Sequence, residues 1–129
     1  MSAATQKKTQ SVLEQKKLVL TKAFIRMSEK LNLERNELSD ILGISEATLS
    51  RMFNQNQTSL IDPFSKSGEI ALLMIRLYKN LSALFGGNDD HCRSWLRREN
   101  KRFNAKPIEM IKKLQGLVAT LEYLDEMQD

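Results

Sequence analysis

The segment Glu34 to Asn54, ERNELSDILGISEATLSRMFN, constrains this chain more than any other, because its spacing is that of two short helices joined by a tight turn. Leu38, Ile41 and Leu42 recur at helical spacing and give the first helix an apolar face. Gly43 follows where the chain must turn, and glycine tolerates the positive φ that most residues resist. Ile44 points back into the core, and Ser45 is a good N-cap for the next helix, with Glu46 a favourable charge in its first turn. Leu49, Met52 and Phe53 then pin the second helix inward. Ser45, Glu46, Ala47, Thr48, Ser50, Arg51 and Asn54 are left on or near the outer face, with Arg35 at the start of the first helix. Short or hydrogen-bonding side chains of this kind suit base edges and phosphates in a DNA major groove. An ordinary helical hairpin would also end its first helix on a glycine. What favours a DNA-reading helix-turn-helix is the agreement of apolar register, glycine, cap and polar outer face.

A chain of 129 residues, 41% hydrophobic with five glycines and two prolines, suits one compact unit or two small ones sharing a core. Runs that alternate at period two are scarce, so an all-α protein is expected. The net charge of +4 permits a nucleic-acid partner without requiring one. A single cysteine, Cys92, excludes an internal disulfide and a multi-cysteine zinc site. No apolar run approaches the ~18 residues of a membrane span, and the N-terminus does not resemble a signal peptide. A cytoplasmic protein with no membrane contact is expected.

Residues 1 to 11 are polar and without period, which predicts a mobile tail able to touch DNA phosphates through Lys7 and Lys8. From Val12 to Leu31 the apolar positions suit one long helix under the helix-turn-helix. Asn56 to Gly68, NQTSLIDPFSKSG, collects turn-formers and reads as a connector, with Leu60, Ile61 and Phe64 expected to be packed. A second helical region begins near Glu69, with Ile70, Leu73, Leu77, Leu81 and Leu84 as its stripe, widened by Met74, Tyr78 and Phe85, and Gly86 and Gly87 stop it. Asn88 or Asp89 caps a shorter helix carrying Trp95 and Leu96, Trp95 being expected in the core. After a polar loop, Pro107 opens another short helix, Gly116 breaks or tightens the chain, and a last helix carries Leu117, Val118, Leu121 and Leu124. Charge is segregated here. Arg93, Arg97, Arg98, Lys101, Arg102 and Lys106 crowd one segment, and Glu122, Asp125, Glu126 and Asp129 make the end acidic. Both runs can be solvated faces; the first can also meet phosphate and the second a cationic cleft.

No constellation supports catalysis. His91, the sole histidine, neighbours Cys92, but adjacent helical residues point about 100° apart and do not face each other. Gly86–Gly87 lacks the surroundings of a phosphate loop.

Taken in order, a helix-turn-helix is followed by IDP at Ile61 to Pro63 and LFGG at Leu84 to Gly87. Then come Trp95 and Leu96, Asn100, and the spaced set Pro107, Ile111, Gly116, Val118 and Leu121. That order resembles the Xre/MbcA/ParS antitoxins of RES–Xre toxin–antitoxin systems, over nearly the whole chain. The resemblance implies an Xre-type helix-turn-helix bundle over residues 12–60 that represses its own operon. It implies a small helical toxin-binding and oligomerisation domain over 61–129 that sterically blocks a RES-domain, NAD-consuming toxin. Toxin contact is then expected at Arg97, Arg98, Asn100 and Lys101, and at Leu121, Glu122, Tyr123, Asp125 and Glu126. The acidic end of the last helix would close a cationic pocket built for an anionic dinucleotide. The expected partners are the cognate toxin, operator DNA and a second copy of the chain, since one recognition helix covers few base pairs. No cofactor, metal or catalytic residue is expected. A free-standing regulator with no toxin partner is the alternative, and an adaptor that kept the fold without binding DNA is another. Glu46 gives the adaptor some weight, because a carboxylate repels phosphate unless it accepts from a cytosine amino group.

Overall fold

The computed structural model describes residues 3–54 and 59–128, with side chains described from Thr9 onward. The elements are α1 (Ala3–Lys30), α2 (Arg35–Leu42), α3 (Glu46–Phe53), α4 (Lys66–Leu84), α5 (Asp89–Arg97), α6 (Pro107–Met110) and α7 (Leu114–Met127). The described residues contain no strand, only an isolated bridge between Asn100 and Ala105. The chain is all-α.

Local chemistry sets most of the boundaries. Gly43 closes α2 at φ 70°, its N–H bonded to the Ser39 carbonyl. Ser45, Ser65 and Asn88 cap α3, α4 and α5 by accepting from Thr48, Gly68 and His91 N–H. Pro107 sits in the first turn of α6. Gly86 and Gly87 end α4 at positive φ.

Helix α4 lies between α1 and α7 and also touches α2 and α5. From α1 come Leu20, Phe24, Met27 and Leu31, from α2 and α3 Leu38 and Leu49, and from α5 and α7 Leu96, Leu117 and Leu124. With Met74, Leu77 and Leu81 of α4 they form one continuous buried cluster. The buried face of α4 is Gly68, Ala71, Met74, Leu77 and Leu81, rotated from the expected stripe; Ile70, Leu73 and Leu84 are only half-buried. A helix flanked on two sides buries the strip between its neighbours, which need not be its most apolar one.

Three further expectations differ. Residues 3–11 are the first turns of α1 rather than a period-free tail; Ala3, Ala4, Gln6, Lys7 and Lys8 are helix formers with no glycine or proline among them, so a helix anchored by packing further on extends through them. The side chains of Lys7 and Lys8, and the whole of Asp129, lie outside the described residues. In the connector, Ile61 is buried and donates its N–H to Thr21 Oγ1 at 2.9 Å, but Phe64 is 75% exposed. Residues 55–58 of that connector lie outside the described ones.

Gly116 does not break the chain. It is the third residue of α7, as Gly68 is the third of α4. A Cβ at Gly116 would lie 2.0 Å from the Met110 carbonyl oxygen, and one at Gly68 2.0 Å from that of Asp62. Both long helices of the second half therefore begin where preceding backbone folds directly onto them.

Candidate functional site

The outer face of α3 is the first candidate surface. Leu49 and Met52 are buried, which turns Ser45, Glu46, Ala47, Ser50, Arg51 and Asn54 outward to full exposure, with Thr48 half-buried. Ser45 Oγ and Thr48 Oγ1 are 2.8 Å apart, and Arg51 Nη2 donates to Thr48 Oγ1 at 3.2 Å. This chain of hydroxyls holds the arginine along the helix. Arg35, the first residue of α2, lays its guanidinium 3.6 Å from the centroid of the Phe53 ring. Glu46 makes no ion pair among the described residues. The result is an ordered row of donors and acceptors on an exposed helix face, the form that groove readout requires.

By sequence, seven Lys or Arg against two Glu give the α1 segment a charge of +5, more than the +4 of the whole chain. Such a helix attracts polyanions over a Debye length.

The joint between the two halves was not legible in the sequence. Arg97 of α5 grips Glu37 of α2 with both guanidinium nitrogens, Nη1 to Oε2 at 2.5 Å and Nη2 to Oε1 at 2.8 Å. Glu37 is buried, and its Oε1 also accepts the Glu34 N–H at 2.9 Å, completing the start of α2. The hydrogen bond from Arg97 outweighs the desolvation of Glu37 and holds its pKa below the usual glutamate range. Arg97 Nη2 reaches the Asn32 carbonyl as well, and Arg93 Nε donates to the Lys30 carbonyl at 2.7 Å. Helix α5 thus fastens the turn from α1 to α2 on which the helix-turn-helix is built. Arg97, expected at a toxin contact, commits its guanidinium to this joint, with its side chain still 40% exposed.

The second candidate surface is the face of α5, the 98–106 loop and the end of α7. Trp95 stacks on Tyr123 at 6.4 Å between centroids and 15° between planes, and Phe103 meets Tyr123 edge-on at 5.2 Å. Arg102 lies 5.4 Å over the Tyr123 ring and 3.5 Å from Glu126. Trp95 is half-buried in this cluster rather than in the core. Asn100 shapes the loop: its N–H donates to the Ala105 carbonyl, and its Oδ1 accepts the Arg102 N–H at 2.9 Å. Arg98, Lys101 and Glu122 are exposed and make no ion pair among the described residues.

Two residues expected on this surface are placed otherwise. Leu121 is 3% exposed, because α7 packs that side onto α4. Asp125 is neutralised by Arg76 at 2.5 Å and accepts from Asn80 Nδ2 at 2.9 Å, while Gln128 donates to the Asn80 carbonyl. Asp125 and Gln128 are therefore fastened to α4, while Glu122 and Glu126 stay exposed. Phe103 is the member of this cluster that sequence reasoning missed; Trp95 was expected in the core and Arg102 only within the basic run. The cluster joins α5, the following loop and α7, which only folding brings together.

Cys92 is buried, and burial pushes its thiol pKa up, which makes it a poor nucleophile. Among the described residues no group of three or more His, Cys, Asp or Glu is placed to hold a metal, and no helix is long and apolar enough to cross a membrane.

Compared with known families, residues 12–76 match the antitoxin Xre-like helix-turn-helix domain, and residues 80–129 match the antitoxin Xre/MbcA/ParS C-terminal toxin-binding domain. The two matches meet within α4. No individual characterised protein matches the chain.

Proposed function

Because this chain belongs to the Xre/MbcA/ParS antitoxins, with a helix-turn-helix domain and a toxin-binding domain, we propose that it neutralises a RES-type toxin by steric occlusion and represses its own operon. The observation that carries the reading is the coexistence of two exposed, chemically distinct surfaces on one rigid core. The α3 face, residues Ser45 to Asn54 with Arg35, reads the operator. Arg98, Lys101, Glu122, Tyr123 and Glu126, set around the Trp95–Phe103 cluster, contact the toxin. No bond is made or broken by the antitoxin; it acts in the cytoplasm by occupying the toxin's substrate entrance. A second copy supplies the other half-site contact, since one helix reads too few base pairs alone.

The occluding element is a fixed face. Removing residues 122–129 would strip Leu124 from the core and Asp125 from Arg76, so loss of inhibition by that truncation would not separate contact from unfolding. Glu122→Arg is the sharper variant, being exposed and unpaired. The test co-expresses the tagged chain with the protein encoded next to it. A stoichiometric complex that loses NAD-consuming activity, regained with Glu122→Arg, supports the reading. No stoichiometric partner, with DNA binding intact, makes the chain a free-standing regulator.

A further inference from the structure

We infer that the groove between the end of α4 and α5 is a socket that receives one large apolar side chain of the toxin. The inference rests on the antitoxin reading above and names a contact within it. The groove has a volume of about 500 Å³ and is lined by the aromatic rings of Phe85 and Trp95 together with Ser94, His91, Arg98, Glu99 and Asn100. Phe85 is held edge-on by the His91 ring at 5.8 Å and 74°. Trp95 is held by its stack on Tyr123. Both rings thus have packing partners before anything binds, which lessens the side-chain freedom lost when a guest enters.

The chemistry of the lining selects the class of guest. Two aromatic walls with a polar rim are the form of an interface hot spot, where an apolar or aromatic anchor is desolvated at the centre and charged groups stay at the edge. Arg98, which also lines the groove, makes no ion pair among the described residues and can meet an acceptor beside that anchor. The groove is open to solvent, and no buried side-chain polar atom among the described residues is left without a partner to hold a small molecule there. All of its lining residues fall within the segment that matches the toxin-binding domain. Through Trp95 it is continuous with Tyr123, Phe103 and Arg102. A protein side chain, delivered by the partner that docks on this face, is therefore the occupant.

Trp95 is the only tryptophan of the chain, which gives the socket its own reporter. Full-length antitoxin labelled with 5-fluorotryptophan has a single ¹⁹F resonance, and unlabelled toxin from the adjacent gene adds none. Calorimetry on the same samples gives affinity independently. The expected result is that toxin moves the resonance, that Ser94→Tyr, which fills the groove, weakens binding at least about thirtyfold, and that the exposed variant Arg98→Glu weakens it about tenfold with an unchanged Tm. If Ser94→Tyr misfolds, the resonance and Arg98→Glu decide. Toxin that binds wild type and variants equally, leaving the resonance in place, overturns the socket and leaves the antitoxin reading standing. Toxin that does not bind wild type at all overturns both. A resonance that moves with antitoxin concentration alone, and no further with toxin, assigns the groove to a second copy and overturns the socket.

Discussion

The two halves of this molecule are built by different kinds of contact. In the helix-turn-helix, order is set by residues a few positions apart: Gly43 returns to Ser39, Ser45 caps Thr48, and Arg51 leans on Thr48. In the second half, order is set across the fold. Asp125 pairs with Arg76, Arg97 with Glu37, and Tyr123 gathers Trp95, Phe103 and Arg102 from other segments. A module assembled from local signals can be reused on many scaffolds. A surface assembled from distant segments exists only while the whole core does, and toxin binding is thereby tied to complete folding.

The largest expected effect probes whether that tie reaches the helix-turn-helix. Gly116→Ala forces a Cβ against the Met110 backbone and should cost roughly 3 kcal/mol or more. Because the core is continuous, calorimetry should show one lowered transition. Two transitions, with the α1–α3 signal unmoved, would break the comparison by showing the halves to be independent.

Arg97→Ala is next. It leaves a buried carboxylate with only its Glu34 N–H, at an expected cost of about 2 kcal/mol. A double-mutant cycle with Glu37→Gln should give a coupling energy well above that of an exposed pair. A coupling near zero would mean that apolar packing alone joins the halves.

The same pair predicts a pH dependence. Glu37 has a lowered pKa when folded, so the unfolded chain takes up its proton first as pH falls. Its contribution is fully present above the ordinary 4.5 and fades as pH drops below that value toward the folded pKa. Urea midpoints taken from pH 6 to pH 3 should fall less steeply in Glu37→Gln than in the wild type. Identical slopes would remove Glu37 from the account.

The smallest effect concerns Cys92. Buried and with its thiol pKa raised, it should react with a disulfide reagent only at the rate of unfolding, and Cys92→Ala should leave both binding surfaces unaltered. Rapid labelling of the native protein would contradict its placement.

These contrasts also explain what the sequence discloses. Gly43, Ser45 and the Leu49/Met52 register are local, so the turn, cap and outer face of α3 were legible without coordinates. Gly68 and Gly116 were visible only as breakers, because their real role, admitting a neighbouring carbonyl, depends on backbone that is not adjacent in space until folding. The rotation of the α4 stripe follows from neighbours on two sides. Arg97 and Asp125 looked like free surface charge because their partners lie 60 and 49 positions away. Leu121, read from the sequence as an apolar position of the last helix and expected at the toxin contact through the resemblance, is buried on the face of α7 that meets α4.

The central claim is that one rigid antitoxin carries two separable surfaces, and Arg51→Ala tests it most directly. The variant should be titrated against operator DNA by fluorescence anisotropy and against toxin by calorimetry. The account predicts an operator affinity reduced by about 1–3 kcal/mol with toxin affinity unchanged. Equal loss of both, or an operator affinity that does not move, would contradict it.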